Sequence, residues 1–226
     1  MADIDAYIEN RARFGETHSG NAARIFKKVD TVTSVLIEGG GDSMRASVCS
    51  GMAMGMFETA LSKVPCADKA MRTILSILPA VGKGGPSGFY LAEILQDGHC
   101  FLVKNRMPSG IFLRKGHVFP LDFHNEKGGD RLIETASVLL KPRDTLISFG
   151  NGVSRAADGV SYAADWCNKL LPAYLEAAYF PSISAQKMGE LLLHVCQSLS
   201  NGKSKDDFSI LIIRYQGHGG NKSALL

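Results

Sequence analysis

Ser34-Val35-Leu36-Ile37-Glu38-Gly39-Gly40-Gly41-Asp42-Ser43-Met44-Arg45-Ala46-Ser47 joins two kinds of pattern. Val35, Leu36 and Ile37 read as the end of a buried strand. From Met44 a small-residue, apolar pattern runs to about Leu61 at helical spacing. Between them stand an acid, three glycines and a second acid. Glycine takes φ > 0 without steric cost and lets a backbone approach a ligand closely. An acid at a strand end can hold a metal ion, and a helix N-terminus can hold an anion. The same residues also read as a plain strand-to-helix turn.

On the N-terminal side, residues 22–27 and 31–37 read as a hairpin. It is preceded by the turn residues Ser19-Gly20-Asn21 and by an alternating first strand at 4–8. On the C-terminal side, residues 46–61 form a helix with Val48, Met52, Met56 and Ala60 on one side and Ala53 and Phe57 beside them, a stripe read as core filling. A second helix, 67–78, stops at Pro79. Residues 81–87 have the glycines of a phosphate loop but no Gly-Lys-Ser/Thr at the required spacing, so they read as a connecting loop.

Strands follow. Residues 89–95 and 99–104 flank Asp97-Gly98, a strong hairpin signal, and 110–114 with 117–121 give another. Residues 122–130 read as a polar loop. Residues 132–140 and 145–149 read as two strands with Lys141-Pro142-Arg143-Asp144 as their turn. Residues 162–179 and 184–199 are helical, the second capped by Ser184 and stopped by Asn201-Gly202. Residues 208–215 make a near-continuous apolar strand. Strand and helix do not alternate, and Gly39-x-Gly41 has Met44 where a dinucleotide fingerprint needs a third glycine. The expected fold class is α+β: an antiparallel β-sandwich with helical pairs, 46–78 and 162–199, on its outer faces.

Composition narrows the partners. The 226 residues carry 25 Lys and Arg against 22 Asp and Glu, a net charge of +3 with no basic run, which argues against nucleic acid. No apolar stretch reaches the roughly 20 residues that span a bilayer. Five cysteines without CxxC spacing argue for a reducing compartment and against zinc. The acidic N-terminus has no apolar signal core, so a cytoplasmic location is expected. A single domain over 1–216 is expected, with 217–226 a Gly-rich, disordered tail. Nothing in the residues sets an oligomeric state.

Oxygen-bearing turns recur beside strands: Ser19-Gly20-Asn21, Glu38-Gly39, Asn151-Gly152 and Asp206-Asp207. Strand ends carrying oxygen ligands from distant parts of a chain are how a hard-metal site is assembled on a sandwich. In this order the turns resemble those of the metal-dependent serine/threonine phosphatases of the protein phosphatase 2C type, in their SpoIIE-like branch, over roughly residues 4–215. Glu38-Gly39-Gly40-Gly41-Asp42-Ser43 is similar to that family's Asp-Gly-x-Gly-(His/Ser)-Gly turn. Gly150-Asn151-Gly152-Val153 is similar to its Thr-Asp-Gly-Val segment, and Asp206-Asp207-Phe208-Ser209 to its terminal Asp-Asp/Asn-x-Thr/Ser. Pro142-Arg143-Asp144 resembles its Pro-Gly-Asp turn.

The resemblance implies an α-β-β-α layered fold and two Mn²⁺ or Mg²⁺ ions that activate water against a phosphoserine or phosphothreonine. It implies a metal set of Asn21, Glu38, the Gly39 carbonyl, Asn151 and Asp206, with Glu38 and Asp206 as the catalytic acids. It also implies a phosphorylated regulatory partner of the STAS or anti-sigma-antagonist type. The chain departs from the pattern where the charge is needed: Asn21, Glu38 and Asn151 stand where the family has Asp. Two neighbouring divalent cations repel by several kcal/mol even at an effective dielectric near 20, and lost carboxylates leave that repulsion uncompensated. Asp42 and Asp207 are candidates to compensate. Weak or absent metal binding and impaired catalysis are expected, with a fully non-catalytic pseudophosphatase, a protein-binding regulatory module, as the alternative.

Overall fold

The structure is a computed structural model that describes residues 2–63, 66–77, 86–128 and 131–218. Its strands, in chain order, are β1 (Ala2–Arg11), β2 (Ala22–Lys27), β3 (Thr31–Glu38), β4 (Gly88–Leu95), β5 (His99–Asn105), β6 (Ile111–Arg114), β7 (His117–Phe119), β8 (His124–Gly128), β9 (Arg131–Leu139), β10 (Thr145–Phe149) and β11 (Phe208–His218). They form two antiparallel sheets, β1-β11-β10-β6-β7 and β2-β3-β4-β5-β9-β8. The helices are α1 (Ser43–Lys63), α2 (Ala67–Ile77), the one-turn α3 (Asn151–Ser154), α4 (Leu171–Ala178) and α5 (Ala185–Leu199).

Side-chain alternation along the central strands builds three apolar layers. In β11, Leu211, Ile213 and Tyr215 point between the sheets, while Phe208, Ile210 and Ile212 point toward α4 and α5. In β3, Val32 and Leu36 face the other sheet, and Val35 and Ile37 face α1 and α2. A strand buried on both faces has no polar face to show, which is why β11 reads as a near-continuous apolar run and β3 ends in Val35, Leu36 and Ile37. Each fully buried Leu, Ile or Phe contributes about 1.5–3 kcal/mol. The result is the expected sandwich with helices on both outer faces.

Four local expectations are corrected. Residues 122–130 are not all loop: β8 pairs with β9, Glu126 opposite Ile133. β9 and β10 do not pair with each other. The turn between them carries the chain from one sheet to the other. There Asp144 accepts from the Lys141 backbone N–H (2.7 Å) and from two nitrogens of the Arg114 guanidinium. The stripe on α1 fills the core only in part: Val48 and Met52 are exposed and Met56 and Ala60 pack at the core's edge, while Ala53 and Phe57 beside them, with Met54 and Leu61, are buried. The last strand continues past residue 216 to His218, paired with Ala2 of β1. Residues 219–226, and the loop reading for most of 81–87, lie outside the described residues. Among the described residues no helix is long and apolar enough to cross a membrane.

Candidate functional site

Loops from four parts of the chain meet at one end of the sandwich. Asn21 precedes β2, Glu38 ends β3, Asn151 opens α3 directly after β10, and Asp206 and Asp207 precede β11. Together with Gly39, Arg13, Ser87 and Arg155 they line one cavity of about 280 Å³. The loops approach closely because glycine stands at the contacts. A methyl group at Gly39 would overlap the Gly20 carbonyl oxygen, and one at Gly152 would overlap the Asp207 carbonyl oxygen. Five of the seven candidate residues, Asn21, Glu38, Gly39, Asn151 and Asp206, are thus brought to one cleft, and Asp207 joins them.

The seventh, Asp42, does not line the cavity. Its carboxylate accepts from the Arg45 backbone N–H (3.0 Å) at the start of α1 and lies 3.5 Å from the Arg45 guanidinium. Asp207 is engaged by the N-terminal loop. It accepts from the backbone N–H groups of Arg13 (2.8 Å) and Gly20 (2.5 Å) and from the Ser19 hydroxyl (3.3 Å). Its carboxylate therefore fastens residues 13–20 to β11, a structural duty. Asp42 thus lies outside the cleft, and Asp207 lines it with both carboxylate oxygens already hydrogen-bonded.

The two asparagines make bonds that an aspartate could not. Asn21 accepts from the Gly39 N–H through Oδ1 (3.2 Å), which turns its Nδ2 to donate to the Ser209 hydroxyl (2.8 Å). Asn151 donates to the Glu38 carboxylate twice, from its backbone N–H and from Nδ2 (2.5 Å). A carboxylate only accepts, so the amide must present its NH₂ to Glu38. Glu38 is buried, 5% exposed. Burial raises its carboxyl above the ordinary range. The two bonds from Asn151 pull it back, and the charges of Asp206 and Asp207 push it up again.

Arginine supplies the positive charge. Arg155 donates from Nη1 to Asp206 (3.1 Å) and from Nε to Asp158 (3.0 Å). The Asp158 hydrogen bond, then the charges of Asp206 and Asp158, hold its own pKa above the ordinary value. The pair is partly exposed, so water screens it and it adds little to stability. Sequence reading missed Arg155, although its spacing of four from Asn151 places the two residues on one face of a helical turn. It missed Arg13 and Ser87 as well, and no local pattern marks those two. Among the described residues no three His, Cys, Asp or Glu side chains are grouped to hold a metal ion.

A family model described as "Stage II sporulation protein E (SpoIIE)" matches residues 30–216. No curated protein matches the chain. Among solved structures, the phosphatase domain of SpoIIE from Bacillus subtilis is similar, with 20% identity, a TM-score of 0.74 and coverage of 99% of this chain and 96% of that one. The RsbU and RsbW domains of a Mycobacterium tuberculosis protein are similar at 12% identity and a TM-score of 0.71 over 96% of this chain. The match covers 63% of that longer chain. RsbX in complex with magnesium is similar at 11% identity and a TM-score of 0.62, over 94% of this chain and 95% of that one. At these identities the structures speak for the fold alone.

Proposed function

The chain belongs to the stage II sporulation protein E family of PP2C-type phosphatase domains in bacterial signalling, and from that premise we propose that it binds phosphorylated regulatory proteins while its metal-dependent hydrolysis is impaired. The observation that carries the proposal is the pair of bonds from Asn151 to Glu38. In that family Mg²⁺ or Mn²⁺ ions, when bound, supply the activated water and the counter-charge for the phosphoryl group. Here the residues do not fit a pair of such ions. Of the three cleft carboxylates, Glu38 is already satisfied by amide hydrogens and Asp206 is paired to Arg155. Asn21 has its oxygen committed to the Gly39 N–H, and Asp207 is committed to the N-terminal loop. Mg²⁺ demands near-ideal octahedral oxygen geometry and dehydrates reluctantly, so hydrogen-bonded amides are a poor exchange for carboxylates.

What these residues do instead is hold four loops in register around a cavity. Support for a protein partner comes from the family and from the RsbU–RsbW relative, in which a similar domain shares a chain with a second regulatory domain. The STAS or anti-sigma-antagonist type of partner rests on the resemblance noted from the sequence. The test is release of phosphate from a phosphoserine peptide in saturating Mn²⁺, comparing wild type with the triple substitution Asn21→Asp, Glu38→Asp, Asn151→Asp. We expect little turnover by wild type and a rise of at least roughly tenfold in the variant, a barrier change of about 1.4 kcal/mol. Wild-type turnover equal to or above that of the variant would defeat the proposal and leave an ordinary phosphatase with an altered site.

A further inference from the structure

A second cavity, of about 180 Å³, lies on the other side of Arg155. Its walls are the α3 turn, the C-terminal end of α5 and the loop that follows. Asn201 (φ 50°) and Gly202 (φ 69°) take the left-handed conformation and reverse the chain, so Lys203 and Lys205 return to line the cavity. Lys203 is steadied by Phe14, whose ring centroid is 5.9 Å from its Nζ and whose backbone N–H donates to the Ser204 carbonyl oxygen (3.0 Å).

The charges around this cavity are unequal in their commitments. Two carboxylates line it, Asp158 and Asp206, and both are held by the one guanidinium of Arg155. The ammonium groups of Lys203 and Lys205 have no carboxylate partner among the described residues, and Arg155 Nη2 makes no hydrogen bond among them. Three cationic side chains therefore line the space against two carboxylates already held by Arg155, which suits it to a compact tetrahedral anion. Charge-assisted hydrogen bonds to such an anion are about twice as strong as neutral ones.

We infer that this cavity, beside the cleft and not within it, is a site for the phosphoryl group of a phosphoserine or phosphothreonine carried by a partner protein. The inference rests on the proposed reading of the chain as a phosphoprotein-binding domain, and it moves the recognition from the acid-lined cleft to Lys203, Lys205 and Arg155. Asp206 and Arg155 line both spaces; beyond them, a phosphoryl dianion in the cleft would meet Glu38 and Asp207 against Arg13 alone. In the second cavity it would meet Asp158 against Lys203 and Lys205, neither of which is tied to a carboxylate among the described residues. Binding needs no metal and no bond is broken, so the ligand is held and not consumed.

The experiment is fluorescence anisotropy in EDTA with a labelled peptide that bears one phosphoserine in a neutral sequence, alongside its unphosphorylated form. Wild type should bind the phosphorylated peptide at least roughly tenfold tighter than the plain one. The double substitution Lys203→Ala, Lys205→Ala should lose about tenfold or more of that affinity. Both lysines are exposed, so the melting temperature should hold. Lys187→Ala on the exposed face of α5 should change nothing. Inorganic phosphate should compete, at higher concentration than the phosphopeptide. Phosphate-independent binding by wild type, no binding, or unchanged affinity in the double variant would overturn the inference. Equal affinity for inorganic phosphate and phosphopeptide would overturn the partner protein as its source. None of these outcomes bears on Mn²⁺-dependent turnover, so the reading of the cleft stands or falls separately.

Discussion

At the scale of single residues, Glu38 is a buried acid that lies under the charge of two others. Its carboxyl is raised by burial and by Asp206 and Asp207 more than the Asn151 bonds lower it. A group whose folded pKa lies above its unfolded value stabilises the fold fully at pH below the unfolded value, about 4.3. That stability is lost as the pH climbs through the raised folded value. Glu38→Gln keeps the shape and removes the titration. The stability of the variant relative to wild type should therefore improve as pH rises through that window and then level off, as urea melts at a series of pH values would record. A difference that does not change with pH would show that Glu38 is not strained by its charge. The identities of Glu38, Asn151 and Asp206 were legible from the sequence because each stands in a short turn next to a strand. Their bonding was not. Whether an amide faces its acid, or an arginine four residues on reaches across, depends on loops that meet only in three dimensions.

Elements were legible where burial is two-sided. β4 and β11 are near-continuous apolar runs, and β3 ends in one, because both faces are covered. β8 was not legible, for the opposite reason: it is an edge strand, and edges carry polar and charged residues that discourage further pairing. The direction of α1 was hidden because the helix is apolar on several sides, so its period does not single out the inner face. The structure supplies that face, and glycines mark the difference. Gly189 of α5 packs against the Tyr7 ring of β1, where a methyl group has no room, whereas Gly51 of α1 faces open space. Gly189→Ala should destabilise by about 1–3 kcal/mol through overpacking. Gly51→Ala should stabilise by about 0.5–1 kcal/mol, since alanine is the better helix former. Thermal melts of the two variants check both signs, and similar shifts in the two would mean that α1 and α5 are not packed as described.

Across the whole molecule, the two-sheet architecture followed from the succession of strand and helix patterns, but the partnership of strands did not. Residues 132–140 and 145–149 read as two strands joined by a turn, and the chain switches sheets at that turn, tied down by Asp144 and Arg114. That switch places β10 beside β11, so Asn151 at the end of one and Asp206 at the start of the other share a cleft with Glu38 from the opposite sheet. The fold thus keeps the meeting point of its loops, while the side chains there satisfy one another with amides and an arginine. On this account charge, not shape, limits metal binding. The most direct measurement is calorimetric titration of Mn²⁺ into wild type and into the Asn21→Asp, Glu38→Asp, Asn151→Asp variant under the same conditions. The account predicts binding at least roughly tenfold weaker in wild type, about 1.4 kcal/mol or more. Wild-type binding as tight as that of the variant would contradict it.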